Sequence, residues 1–261
     1  MTSLDATARR MADAARSAIL PYFRQAGLQS ENKLDGGFDP VTEADRAAER
    51  AMRAILSEDR PTDAVLGEEY GHSDGTSGLT WVLDPIDGTR GFVSGTPTWG
   101  VLIAVADATG PFYGLIDQPY IGERFVGSAG GATLTGPFGT SALTTRNTAE
   151  LRDAIVFTTF PEVGRPEEGA AFRAVAELAK LTRYGMDCYA YALLAAGQVD
   201  LVIEAGLQAY DIQAPIALIE AAGGVVTNWE GGPAHAGGRA LAAANETLHA
   251  KALAALQRSL A

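Results

Sequence analysis

The stretch Trp81-Val82-Leu83-Asp84-Pro85-Ile86-Asp87-Gly88-Thr89-Arg90 constrains this chain more than any other. An apolar run ends in two carboxylates three residues apart, and Gly-Thr follows at once. Apolar residues at a strand end hold Asp84 and Asp87 in place. With Asp84 ending the strand and Pro85 opening a turn, both side chains point to one side of the strand terminus. Carboxylates bind hard cations and backbone N–H groups bind phosphate, so the segment suggests metal-assisted phosphate chemistry. Asp-Pro and Asp-Gly are also common turn formers, and a plain turn remains open on this stretch alone.

Composition narrows the setting. The 261 residues suffice for one large domain or two packed halves, and 47% hydrophobic with 20% charged residues is globular usage. A net charge of -12 argues against a nucleic-acid partner bound through a basic surface. The single cysteine, Cys188, excludes an internal disulfide framework and reads as a small buried residue in a reducing compartment. His72, His235 and His249 are scattered, without zinc spacing. The opening residues carry Asp5, Arg9, Arg10, Asp13 and Arg16 and no apolar h-region. No apolar run approaches the roughly 20 residues of a membrane span. A soluble cytoplasmic protein without a membrane partner is the expectation.

Hydrophobic spacing orders the elements. Leu4, Ala8, Met11, Ala15 and Ile19 predict an amphipathic helix ending near Pro21. Leu34 to Pro40 reads as a loop, and a second helix starts at Thr42. Ala64-Val65-Leu66 is a short strand, and residues 71–80 a polar loop. From Trp99 to Gly139 the β-rich segments are joined by linkers too short for helical crossovers, which predicts antiparallel sheet. A half-boundary falls in the polar stretch Thr144 to Glu150. This gives an N-terminal half, 1–145, of helices and antiparallel sheet, and a C-terminal α/β half, 146–261. In the second half strands are expected at Ala154 to Thr158, Leu201 to Ile203 and Val225 to Thr227. Helices are expected over 168–182, Asp187 to Ala196, Asp211 to Ala222 and 244–260.

Further acids sit at element ends. Glu68 and Glu69 follow a short apolar run and are placed either to share a cation or to lie in an exposed loop. Thr42-x-x-Asp45 resembles a capping box, yet a Thr hydroxyl and an Asp carboxylate also orient a water. Asp211 opens an apolar helix, where the dipole favours an acid. Gly127-Ser128-Ala129-Gly130-Gly131 lacks the lysine of a P-loop and reads as a hairpin.

Taken together and in this order, these segments resemble the inositol monophosphatase superfamily of magnesium-dependent phosphatases. Trp81 to Gly95 resembles its first signature, and Ala209 to Gly224 its second. Asp39-Pro40-Val41-Thr42-Glu43-Ala44-Asp45 and Gly67-Glu68-Glu69 match two further segments. The resemblance implies an α/β (α+β) fold, a layered αβαβα sandwich of the inositol monophosphatase and fructose-1,6-bisphosphatase type. It implies two or three Mg²⁺ ions, with Mn²⁺ as an alternative. Glu68, Asp84 and the Ile86 carbonyl would bind one ion, and Asp84, Asp87 and Asp211 another. Asp45 and Thr89 would activate the attacking water, with Glu68 among the catalytic residues. Gly88 and Thr89 would present N–H groups to phosphate. A small-molecule phosphate ester as substrate and a homodimer are further implications.

The loop Gly91-Phe92-Val93-Ser94-Gly95-Thr96-Pro97-Thr98-Trp99-Gly100 and Asp187-Cys188-Tyr189-Ala190-Tyr191 resemble the histidinol-phosphate phosphatase branch. Hydrolysis of L-histidinol phosphate, a step of histidine biosynthesis, is the implied activity. An inositol or broad polyol phosphatase is the alternative, and a non-catalytic metal-binding protein of the same fold a remote one. Asp187 and Glu204 are the candidate substrate contacts, because acids suit the ammonium and imidazole of histidinol phosphate. Asp187 also fits a helix N-cap.

Overall fold

Period-two alternation sets the architecture. In the strand Thr80–Asp87, Trp81 and Leu83 pack into one apolar core while Val82 packs into another. Gly100–Asp107 repeats the pattern, with Val101, Ile103 and Val105 on the first side and Leu102 and Ala104 on the second. Strands apolar on both faces must be covered on both, so helices flank each large sheet. The computed structural model describes residues 3–25, 31–32 and 40–260.

The elements run α1 (Leu4–Ile19), β1 (Glu31–Asn32), β2 (Pro40–Val41), α2 (Glu43–Asp59), β3 (Ala64–Gly67), β4 (Gly71–Ser73), β5 (Thr80–Asp87), α3 (Thr89–Ser94), β6 (Gly100–Asp107), β7 (Gly110–Gln118), β8 (Glu123–Ser128), β9 (Gly131–Gly136) and β10 (Gly139–Leu143). They continue with β11 (Ile155–Thr158), α4 (Pro166–Ala176), β12 (Leu181–Tyr184), α5 (Asp187–Ala195), β13 (Leu201–Leu207), α6 (Ala209–Ala221), β14 (Val225–Thr227), β15 (Gly238–Ala243) and α7 (Glu246–Leu260). One sheet has the order β10-β9-β8-β7-β6-β5-β3-β4, and the other β12-β11-β13-β15-β14.

Three apolar cores separate five layers. The first joins α1 and α2 to one face of the larger sheet, through Met11, Ile19, Met52, Trp81, Ile103 and Leu115. The second holds α5 and α6 between the sheets, with Leu194, Ile212 and Ile219 meeting Leu102 on one side and Val202 on the other. The third covers the outer face of the smaller sheet with α4 and α7, through Phe172, Leu201, Leu241 and Leu256. The result is the expected αβαβα sandwich. No helix among the described residues is long and apolar enough to cross a membrane.

Two glycines seat α6. A Cβ on Gly114 of β7 would lie 2.2 Å from the Ala214 carbonyl oxygen, and one on Gly127 of β8 would lie 2.4 Å from Leu218 Cα. Only glycine lets the helix backbone approach this closely. The first turn of α6 carries Asp211, so this contact fixes where that carboxylate stands.

Four local expectations need correction, and one lies outside the description. The strand at Asp84 does not end there; β5 continues through Pro85 to Asp87. The polar loop at 71–80 begins with β4, which pairs antiparallel with β3. The helix expected over 168–182 stops at Ala176, and Leu181–Tyr184 forms a parallel edge strand on β11. β15 was not anticipated at all. Its core is Ala240-Leu241-Ala242-Ala243, and alanine is a weak strand former that pairing with β13 and β14 overrides. The loop expected over Leu34 to Pro40 lies outside the described residues as far as residue 39; Pro40 belongs to β2.

Candidate active site

Parity governs the carboxylates of β5. Residues three apart on a regular strand point to opposite faces. Between Asp84 and Asp87, however, three steps on β5 face two on β6, because Asp84 pairs with Leu102 and Asp87 with Gly100. This one-residue bulge reverses the parity and turns both acids the same way. Pro85 fits here because a bulge tolerates a residue without an N–H. The Ile86 N–H donates to Asp84 Oδ1 at 3.0 Å and locks the turn, while the Ile86 side chain is fully buried in the first core.

Other elements bring the remaining acids. β3 runs parallel to β5 with Gly67 opposite Leu83, so Glu68 follows directly beside Asp84, and its N–H donates to the Leu83 carbonyl. Asp211 arrives on the first turn of α6, where the Gln208 N–H donates to its Oδ2 at 2.7 Å. One carboxylate oxygen from each of Asp84, Asp87 and Asp211 lies within 4.8 Å of the others, a spacing that can hold a metal ion. Burial, then repulsion from Glu68, Asp87 and Asp211, pushes Asp84 well above the usual carboxylate range. Burial, then Asp211 and Asp187, does the same to Asp87. Such a set is stable as anions only when a cation sits among them.

Asp45 holds the capping-box position expected of it. Its Oδ2 accepts from the Thr42 N–H at 2.8 Å and from the Thr42 hydroxyl, completing the capping box of α2. Its Oδ1 is buried with no hydrogen-bond partner among the described residues. Burial pushes its carboxyl up to about 7, with Glu68 and Glu69 adding to the shift against the pull of Thr42. Glu69 turns its N–H to Glu49 Oε2 at 2.7 Å.

These residues frame a cleft of about 270 Å³. Its lining includes Glu68, Asp84, Ile86, Asp87, Gly88, Thr89, Asp187, Glu204 and Asp211; Asp45 is not part of the lining. Gly88 adopts φ 85° and starts α3, and the Thr89 hydroxyl donates to the Ile86 carbonyl at 3.1 Å. The Cys188 N–H donates to Asp87 Oδ2 at 2.7 Å, while the buried thiol is pushed well above its ordinary value, first by burial and then by Asp87.

Asp187 departs from the N-cap reading. It makes no capping bond; Met186 takes the cap position, and Asp187 sits at φ 45° with Oδ2 accepting from the Thr98 hydroxyl at 3.1 Å. A left-handed non-glycine residue costs on the order of 1 kcal/mol, which Asp tolerates better than most. Burial raises its pKa, against Thr98 and Arg90. Glu204, on β13, is buried: Oε1 accepts from the Thr159 N–H and hydroxyl, and Oε2 from the Thr158 hydroxyl. Burial still lifts it to about 7.

Sequence reasoning missed two contributors. Glu49 reaches from α2 to accept from the Glu69 and Tyr70 N–H groups, with Arg53 closing the ion pair at 2.7 Å. Its signal was present: it shares the buried stripe with Asp45, Ala48 and Met52, where an acid is out of place. Arg90 and Phe160 meet across the cleft rim, the guanidinium carbon 4.8 Å from the ring centroid, and no local pattern joins residues so far apart.

The family pattern of inositol monophosphatases matches residues 1–261. The chain is 43% identical over 236 residues to the bifunctional phosphatase IMPL2, chloroplastic, of Arabidopsis thaliana, covering 88% of this chain and 66% of that one. It is 37% identical to a histidinol-phosphatase of Streptomyces coelicolor, over 95% of this chain and 94% of the relative. A solved inositol monophosphatase from Zymomonas mobilis superposes with a TM-score of 0.86 at 37% identity, over 98% of this chain and 100% of that one. Clustered acids, a five-layered fold and a match along the whole length agree: the chain belongs to the inositol monophosphatase family and is a phosphoric monoester hydrolase.

Proposed function

We propose that the protein hydrolyses L-histidinol phosphate to L-histidinol and phosphate with Mg²⁺ as cofactor. The observation that carries the substrate choice is the pair Asp187 and Glu204, a half-buried and a buried carboxylate on the wall of the same cleft as the acidic trio. Buried carboxylates gain most from a cation that enters with the ligand. Histidinol phosphate brings an ammonium and an imidazole. Similarity to the Streptomyces coelicolor histidinol-phosphatase supports the same choice.

The residues fit a divalent ion. Three carboxylate oxygens converge, they repel one another, and Asp45 keeps a buried oxygen without a partner among the described residues. All-oxygen donors favour Mg²⁺ or Mn²⁺ over zinc. In this reading Glu68, Asp84 and the Ile86 carbonyl hold one ion, and Asp84, Asp87 and Asp211 a second. When bound, the ions supply Lewis-acid neutralisation of the ester phosphate. Thr89, its proton committed to the Ile86 carbonyl, accepts a hydrogen bond from the attacking water and orients it. Asp45 takes that water's proton at Oδ1, the buried oxygen left without a partner among the described residues. The Gly88 and Thr89 N–H groups contact the phosphate. The acids of residues 1–145 and those of 146–261 thus meet at one cleft, and a homodimer is part of the same proposal.

An inositol monophosphatase is the second reading, favoured by the Zymomonas mobilis likeness. Parallel turnover of L-histidinol phosphate and myo-inositol 1-phosphate with Mg²⁺ separates them. We expect kcat/KM to favour the histidinol ester by about tenfold or more. A preference for the inositol ester overturns the proposal.

A further inference from the structure

Tyr191 is the unusual group in this cleft. It lies on α5, 3% exposed, with its ring in the apolar core between the sheets, and it lines the cleft. Its hydroxyl is buried and has no hydrogen-bond partner among the described residues. Leaving a buried hydroxyl unpaired costs about 1–3 kcal/mol, so such groups normally have a use. The neighbouring acids do not supply the partner. Glu204 accepts from Thr158 and Thr159, and Asp87 Oδ2 from the Cys188 N–H, and neither acid bonds the Tyr191 hydroxyl.

Its protonation limits its chemistry. A phenol ordinarily titrates near pH 10, about three units above neutrality, so the group is a neutral O–H. It is therefore a donor through its proton and an acceptor through its lone pairs. The cleft that Tyr191 lines also holds the acids of the converging trio and Glu204. The phosphate end of an ester belongs with the trio, and the alcohol end with Glu204. Tyr191 lines the same cleft as both.

We propose that the Tyr191 hydroxyl contacts the substrate and reads a hydrogen-bonding substituent on the carbon next to the ester carbon. The preferred class is a phosphate ester with a neighbouring amine or hydroxyl. An ammonium there donates to the phenol oxygen, and a hydroxyl there exchanges either bond. The inference rests on the reading that phosphate binds beside Asp84, Asp87 and Asp211. It does not depend on which alcohol is natural, because histidinol and inositol esters both carry such a group.

The test is Tyr191→Phe, which keeps the ring and its packing. Wild type and variant, both with Mg²⁺, are assayed on L-histidinol phosphate, myo-inositol 1-phosphate and n-propyl phosphate, which lacks the substituent. We expect the variant to lose about tenfold in kcat/KM on the better of the first two esters and less than about twofold on n-propyl phosphate. Its melting temperature should be unchanged or higher, since an unpaired polar group has been removed. An equal loss on all three esters, or no loss on any, overturns the proposal. A wild-type preference for the inositol ester would instead overturn the histidinol reading and leave the Tyr191 contrast to be read on that ester.

Discussion

The Cys188 N–H donates to Asp87 Oδ2 at 2.7 Å across 101 positions of sequence. This bond ties the start of α5 to the end of β5 and holds the carboxylate that clusters with Asp84 and Asp211. Helix α5 therefore shapes the metal-competent site although it supplies none of the clustered acids.

Neutralising one acid of the trio should separate function from stability. Asp84→Asn is expected to lower Mg²⁺-dependent phosphate release on the order of 10²–10³-fold, the range for losing a group that stabilises developing charge. In EDTA the same variant should melt higher than wild type. The sign follows from the raised pKa: the folded protein disfavours the Asp84 anion, so removing the charge helps once pH exceeds the unfolded carboxyl value. Full activity in Asp84→Asn would remove this residue from the mechanism.

Glu204 predicts a pH slope. Its carboxyl titrates near 7 in the fold and near 4.5 when unfolded. Between these values the unfolded chain binds fewer protons, so stability falls as pH rises and levels off above 7. The loss is about 3 kcal/mol at 1.36 kcal/mol per unit. Glu204→Gln keeps oxygen or nitrogen atoms for Thr158 and Thr159 and should flatten the slope in metal-free urea unfolding at pH 5 and pH 8. It should also reduce kcat/KM on the cationic histidinol ester more than on the inositol ester.

Glu49 should act on the metal site through the backbone. Glu49→Ala strips the Glu69 and Tyr70 N–H groups of their acceptor, at about 1–3 kcal/mol for each group left buried and unpaired. Glu68, the residue just before them, is expected to lose its position. The Mg²⁺ concentration for half-maximal activity should rise, as followed by titration. An unchanged Mg²⁺ midpoint would show that Glu49 only stabilises the fold.

Gly88→Ala tests how tightly the cleft is built. A Cβ there would lie 2.7 Å from Asp187 Cγ, on a residue already at φ 85°. Both the left-handed backbone and the collision oppose it, and turnover should fall at least about tenfold. Gly71→Ala, at φ 64° with nothing within 4 Å, carries the backbone cost alone and should leave kcat unchanged.

Much of the site was legible because its residues sit at element ends marked by short-range patterns. The apolar run before Asp84, the Thr42 cap before Asp45 and the helix opening at Asp211 are local signals, and each is where the structure has an element boundary or bulge. The strand Gly238–Ala243 was not legible, since alanines become a strand only when β13 and β14 flank them. The same holds for Leu181–Tyr184, which β11 pulls into the sheet's edge.

By itself, then, the sequence carried the motifs whose resemblance implied the family, the layered fold and the converging acids, since motif order is a property of neighbouring residues. The tertiary structure alone decided the bulge that turns Asp84 and Asp87 the same way, the Glu49 anchor, the Thr98 contact of Asp187 and the unpaired hydroxyl of Tyr191. Each of these depends on pairing register or on contacts across layers. Burial and hydrogen-bond satisfaction arise only when distant segments pack, so no window along the chain contains them.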